Sequence, residues 1–208
     1  MPQTRDSFTS TSTGTDLTKE IVMASRIEPL LTVADLDACP DDDNRYELIG
    51  GELFVSHAPG LSHQRILHNL QIGFADYLKT NPIGIIVPGP GMILSDYDAV
   101  IPDICFVRKE RWDEVVTGEK FTRAVDLVIE IISPGKENRE RDLTAKRQLY
   151  AKYGVQEYWI ADRENQCVLI YRLQGNILEE IAKLTVEDEI TTPLLPQFQL
   201  KVSSIFDF

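Results

Sequence analysis

Cysteine is scarce in this 208-residue chain: Cys39, Cys105 and Cys167 stand far apart, and no C-x-x-C pair occurs. That excludes a disulfide framework or a cysteine-built zinc site and fits a reducing, cytoplasmic setting. Long apolar runs are missing as well. Nowhere do about 18 apolar residues follow one another, which excludes a transmembrane helix and gives no reason to expect a membrane partner. The N-terminus lacks the apolar stretch of a signal peptide, because Asp6, Asp16 and many hydroxyl side chains interrupt it before Ile21. Basic charge is in deficit, with 21 Lys and Arg against 33 Asp and Glu, a net charge of −12. Such a balance argues against a sequence-blind polyanion binder. Residues 104–152 depart from it: they hold 11 of the 21 cations and 9 acids, so any phosphate-facing surface is expected there.

What the chain does contain is ordinary globular material, 43% hydrophobic and 26% charged, which excludes wholesale disorder. Residues 1–25 read as a disordered tail, with nine Ser or Thr between Thr4 and Thr18 and little to bury. Residues 26–208 read as a single domain. A short helix is expected over Thr32–Cys39, with Thr32 as N-cap and Asp35 three residues on. Gly50-Gly51 between two apolar runs predicts a hairpin. Ser62 is the expected cap of a helix running to about Lys79, with Leu67, Leu70, Phe74, Tyr77 and Leu78 as its apolar stripe. Strands are expected at 84–87, 92–94 and 101–107. Val125–Ile132 is nearly continuous apolar sequence, which marks a strand covered on both faces. A helix over about 138–153, ended by Gly154, leads to a strand at 155–161 and a terminal meander. The pattern is αβββαβ with extra terminal strands, an α/β fold with a mixed central sheet flanked by helices.

Two lone acids interrupt this apolar framework. A buried carboxylate is costly unless it is paired or bound to a metal. Glu130 sits inside Val-Ile-Glu-Ile-Ile, and Asp103 inside Ile-Pro-Asp-Ile-Cys-Phe-Val. A strand-end carboxylate facing solvent, or one satisfied by an arginine, is the plain alternative for Glu130. Two strands each carrying one acid suggest a shared site for Mg²⁺ or Mn²⁺, which favour few hard oxygen ligands plus water. Lys146 lies on one helix face with Asp142 and Tyr150, so it is either a third member of that site or an exposed partner of Asp142. His63, at the start of a long helix where an anion would be favoured, reads better as a capping or packing residue.

Taken together in this order, Tyr46–Leu53, Pro102-Asp103, Val128–Pro134, Asp142-Leu143-x-x-Lys146-x-x-x-Tyr150 and Gly154–Asp162 resemble the Uma-type restriction-endonuclease family of the PD-(D/E)xK nuclease superfamily. The resemblance spans about residues 30–190 and implies a restriction-endonuclease-like fold and a metal-dependent endonuclease acting on DNA. It implies that Asp103, Glu130 and the carbonyl of Ile131 hold the ion. The superfamily's lysine would fall at position 132, which is Ile132 here, and Lys146 is its implied substitute. Glu47 is implied as a further carboxylate, or else is a hairpin-edge acid. A homodimer is expected, since cutting two strands needs two sites. A non-cleaving nucleic-acid-binding or assembly module on the same fold is the rival. The overall acidity and Ile132 favour that rival, whereas the coexistence of Asp103, Glu130 and Lys146 favours the enzyme.

Overall fold

The computed structural model describes residues 29–132 and 135–207; the expected tail at 1–25 and Ser133-Pro134 of the family pattern lie outside the described residues. The expected first helix is one turn, α1 (Val33–Leu36), and Asp35 reaches back to accept the Thr32 N–H at 2.7 Å. The predicted hairpin is β1 (Arg45–Ile49) and β2 (Glu52–Ser56), with Ile49 opposite Glu52. Gly50 and Gly51 between them adopt φ of 61° and 79°, which the primed two-residue turn requires.

Helix α2 (Leu61–Thr80) starts one residue before Ser62. Gly60, in extended backbone, is its N-cap and accepts the Gln64 N–H at 3.1 Å, so the first turn closes ahead of the serine expected to cap it. Its buried stripe is His63, Ile66, Leu70 and Phe74, with Leu67, Tyr77 and Leu78 beside it. After it come β3 (Gly84–Pro88), β4 (Met92–Ser95), β5 (Asp98–Val100) and β6 (Ile104–Arg108). A short helix α3 (Trp112–Val115) and two-residue strands β7 (Val116–Thr117) and β8 (Lys120–Phe121) lead to β9 (Leu127–Ile131), buried throughout.

The helix expected over 138–153 is three pieces: α4 (Lys136–Glu140), a π-helical segment Arg141–Lys146, and α5 (Arg147–Tyr153). Gly154 closes α5 in the left-handed region, φ 87°. The chain ends in β10 (Glu157–Asp162), β11 (Cys167–Gln174), β12 (Ile177–Thr185), the hairpin β13 (Glu189–Thr192) and β14 (Leu195–Lys201), and α6 (Val202–Ile205).

These strands form two six-stranded mixed sheets and the β13–β14 hairpin, and the core sheet is the mixed central sheet the sequence predicts. The larger core sheet runs β12-β11-β10-β9-β6-β3, with β9 and β10 parallel. A parallel pair needs a long crossover, which α4 to α5 supply. The second sheet, β2-β1-β5-β4-β8-β7, escaped the sequence reading because several of its strands have only two to four residues. One face of the core sheet packs Ile129 and Trp159 against Leu70 and Phe74 of α2 and Phe198 of β14. The other packs Val128 and Tyr158 against Leu149 and Tyr150 of α5 and against Met92 and Phe121. Each such side chain contributes on the order of 1.5–3 kcal/mol by burial. Together they fix the ends of β6 and β9 between α2, β1 and the π-helical segment.

Candidate active site

Antiparallel pairing sets Ile104 of β6 opposite Ile129 of β9, so Asp103 and Glu130 come to neighbouring strand ends. Asp103 Oδ2 accepts the Ile131 N–H at 2.8 Å and a hydrogen bond from His63 Nε2 at 3.0 Å. Among the described residues its Oδ1 has only a long contact, 3.4 Å, with Arg45. Burial pushes the Asp103 carboxyl up, but His63, the Ile131 N–H and the Lys146 charge outweigh it and hold the group below its usual range.

Glu130 shares the face of β9 that carries Val128, toward α5. Its Oε1 accepts from Lys146 Nζ at 2.9 Å and from the Tyr150 hydroxyl at 2.8 Å. Burial raises this carboxyl to about 8; Asp103, Asp142 and Glu47 add to the rise and Lys146 opposes it.

Lys146 is not an exposed partner of Asp142. It is 2% exposed, with its ammonium 3.1 Å from Glu47 Oε1 and 3.9 Å from Asp142 Oδ1 as well as 2.9 Å from Glu130. Burial would release its proton, but the three carboxylates more than reverse that and hold it charged, well above the ordinary lysine range. The π-helical turn carries both Asp142 and Lys146 inward, a use such turns often serve at functional sites. Glu47 is no hairpin-edge acid either: β1 lies between β2 and β5, and Glu47 Oε1 also accepts the Ile101 N–H at 2.8 Å.

The structure thus brings together every residue singled out in the sequence: Asp103, Glu130, Ile131, Lys146 and Glu47 line one small polar pocket. Arg45 and Arg141, which sequence reasoning missed, line it too. His63, read as a capping or packing residue, holds Asp103 instead. Tyr150 could be read from the sequence, since it follows Lys146 by four residues on one helix face. His63 could not, because nothing local ties it to an acid 40 positions on.

The donor chemistry suits a hard divalent ion. Each acid has one oxygen taken by protein donors, Asp103 Oδ2 and Glu130 Oε1, and among the described residues its second oxygen holds no hydrogen bond shorter than Arg45's 3.4 Å contact. Among the described residues no three acidic, His or Cys side chains enclose an ion by themselves. Two carboxylate oxygens and a main-chain carbonyl, with water completing the shell, match the sparse protein ligation that Mg²⁺ accepts.

A mixed α/β core with an acid at each of two adjacent strand ends and a buried lysine beside them is the arrangement of a restriction-endonuclease-like nuclease. The chain belongs to the Uma2 family, described as "Putative restriction endonuclease", whose model matches residues 33–203. Among solved structures it is similar to a "putative nuclease belonging to DUF820" from Anabaena variabilis, with a TM-score of 0.70 and 21% identity over 85% of this chain and 97% of that one. No curated protein matches it. No helix among the described residues is long and apolar enough to cross a membrane.

Proposed function

We propose that this protein is a Mg²⁺- or Mn²⁺-dependent endonuclease that hydrolyses DNA phosphodiester bonds at the Asp103–Glu130–Lys146 cluster. One observation carries the reading: a lysine buried among three carboxylates beside a fourth acid that main chain and histidine hold in place. A fold alone has little use for so many desolvated charges, since apolar residues of similar volume are often as stable or better.

Asp103, Glu130 and the Ile131 carbonyl would hold the ion. Bound there, it acidifies water and neutralises charge developing on the phosphate. His63 and Tyr150 orient the two acids by taking one oxygen of each. Lys146 Nζ, already charged, stabilises negative charge that builds on the attacked phosphate, and its hydrogen bonds fix where a water can sit. Glu47 keeps Lys146 aimed at Glu130. Arg45 and Arg141, which line the pocket, would meet phosphate oxygens of the bound strand. A two-fold dimer would set one such site on each strand of a duplex, and the cytoplasm is where such a substrate is met.

The non-cleaving alternative draws on the net charge of −12. An end-labelled duplex separates the two. The enzyme reading predicts shortened products with Mg²⁺, none with EDTA, and none from Asp103→Asn. Tight DNA binding without any product under every divalent ion would favour the module.

A further inference from the structure

We infer that a second cavity, on the far side of His63 from the carboxylates, is a subsite for one unpaired nucleobase of the substrate strand. This inference rests on the nuclease reading and narrows its substrate to nucleic acid with a base free to leave the stack.

The cavity measures about 120 Å³ and lies between the start of α2 and the C-terminal ends of the parallel strands β9 and β10. Ligands of α/β sheets gather at such strand ends. One water needs roughly 10–15 Å³ on this measure, so the space is large enough for a small organic molecule rather than a single water. Its walls are Gly60, Ser62, His63, Ile66, Ile131 and Ile132. His63 and Ile131 also line the carboxylate pocket, so the two spaces share a wall.

Two independent features say what the cavity would hold. The first turn of α2 has no side-chain cap, no acidic residue and no intrahelical partner for its N–H groups, so it presents hydrogen-bond donors. The second is His63 Nδ1, which is buried and has no hydrogen-bond partner among the described residues, on a side chain only 9% exposed. A carboxylate oxygen such as Asp103 Oδ2 only accepts, so the ring's Nε2 carries the hydrogen facing it. Nδ1 is then the ring's remaining polar atom, left to meet a ligand.

Donors from the helix, a buried ring nitrogen of the histidine and apolar isoleucine walls match the edge and faces of a nucleobase. Such a base carries carbonyl or ring-nitrogen acceptors beside N–H donors. Flipped bases are read in this way, by hydrogen bonds to one edge with apolar packing on the faces. A phosphate fits worse, because two acids, Asp162 and Glu164, border the cavity against one cation, Arg163, and Asp103 stands behind the histidine. A sugar lacks the apolar faces.

The test uses the full chain, free of divalent metal, with labelled isoleucine methyl groups, titrated by NMR with each of the four deoxynucleosides and with deoxyribose. At least one nucleoside should shift the Ile66, Ile131 and Ile132 methyls saturably, while deoxyribose should not. Ser62→Trp, which fills the cavity from the helix, should lower that affinity at least tenfold; Ile132→Phe fills it from the sheet if the first variant does not fold. Silence from all four nucleosides, equal shifts from deoxyribose, or unchanged affinity in a folded filled variant would overturn the subsite. Cleavage has no part in this titration. A protein that cuts DNA yet binds no nucleoside loses the subsite alone, and one that binds nucleosides yet never cuts loses the nuclease reading alone.

Discussion

Replacing Lys146 by Met keeps most of the side-chain volume and removes the one buried ammonium from a pocket of acids. Its nitrogen lies 2.9, 3.1 and 3.9 Å from Glu130, Glu47 and Asp142. At an effective dielectric of about 20 each pair is worth on the order of 4–6 kcal/mol, so the carboxylates cannot all stay ionised without it. Proton uptake is their escape. For an ordinary carboxyl at pH 7 that costs about 3–4 kcal/mol; Glu130, raised to about 8, already favours its protonated form there and adds little. The net loss should therefore be about 3–5 kcal/mol at pH 7, the scale for removing one partner of a buried pair. It should shrink at pH 5, where protons come more cheaply. Urea unfolding of metal-free protein, with unchanged slope, reads the difference directly. A loss below about 0.5 kcal/mol, the worth of an exposed ion pair, would refute the burial argument.

Two further outcomes concern buried carboxylate contacts. Asp98→Ala removes a buried acceptor that serves the Gly50 N–H, Ser95, Lys152 and Tyr153. It should cost about 2–4 kcal/mol in thermal or urea unfolding, and a loss inside ±0.5 kcal/mol would show that this staple between β5, the hairpin turn and α5 is slack. In metal-free protein Glu130 titrates near 8 when folded, above its ordinary 4.5, so the protonated form is the one the fold prefers. Its contribution is complete below pH 4.5 and is lost as pH rises toward 8, a decline of a few kcal/mol that Glu130→Gln should flatten in a melting-temperature series. A wild-type melting temperature that rises steadily across that window would contradict the shift.

Much of the core was legible because its signals are local. Gly50-Gly51 can take positive φ without strain, so the hairpin follows from two residues. An unbroken apolar run such as Leu127–Ile131 has to be a covered strand, and the lone acid in it has to find a partner. Identifying that partner was harder. Spacing could not tell whether Lys146 faced solvent or core, because an α-helical and a π-helical turn place it differently and the widened turn has no local sequence mark. The capping of α2 was misplaced by two residues because Ser62 is the better intrinsic cap, yet Gly60 already accepts the first helical bond. The second sheet was hidden for a related reason: Val116–Thr117 and Lys120–Phe121 are too short to show a period of two, and tertiary pairing makes them strands. Asp103 and Glu130 could be named from sequence, but the His63 contact that holds Asp103 exists only through packing of α2 on the sheet.

The relaxation of supercoiled plasmid in Mg²⁺, followed for wild type and Glu130→Gln in parallel, tests the account most directly. Glu130→Gln keeps the side chain's size and its place beside Lys146 and Tyr150, yet gives up the charge that would hold the ion. The account predicts nicked or linear plasmid from the wild type only when Mg²⁺ or Mn²⁺ is present, and a rate at least a hundredfold lower, on the order of a lost catalytic charge, for the variant. Equal cleavage by both proteins, or cleavage by the wild type in EDTA, would contradict it.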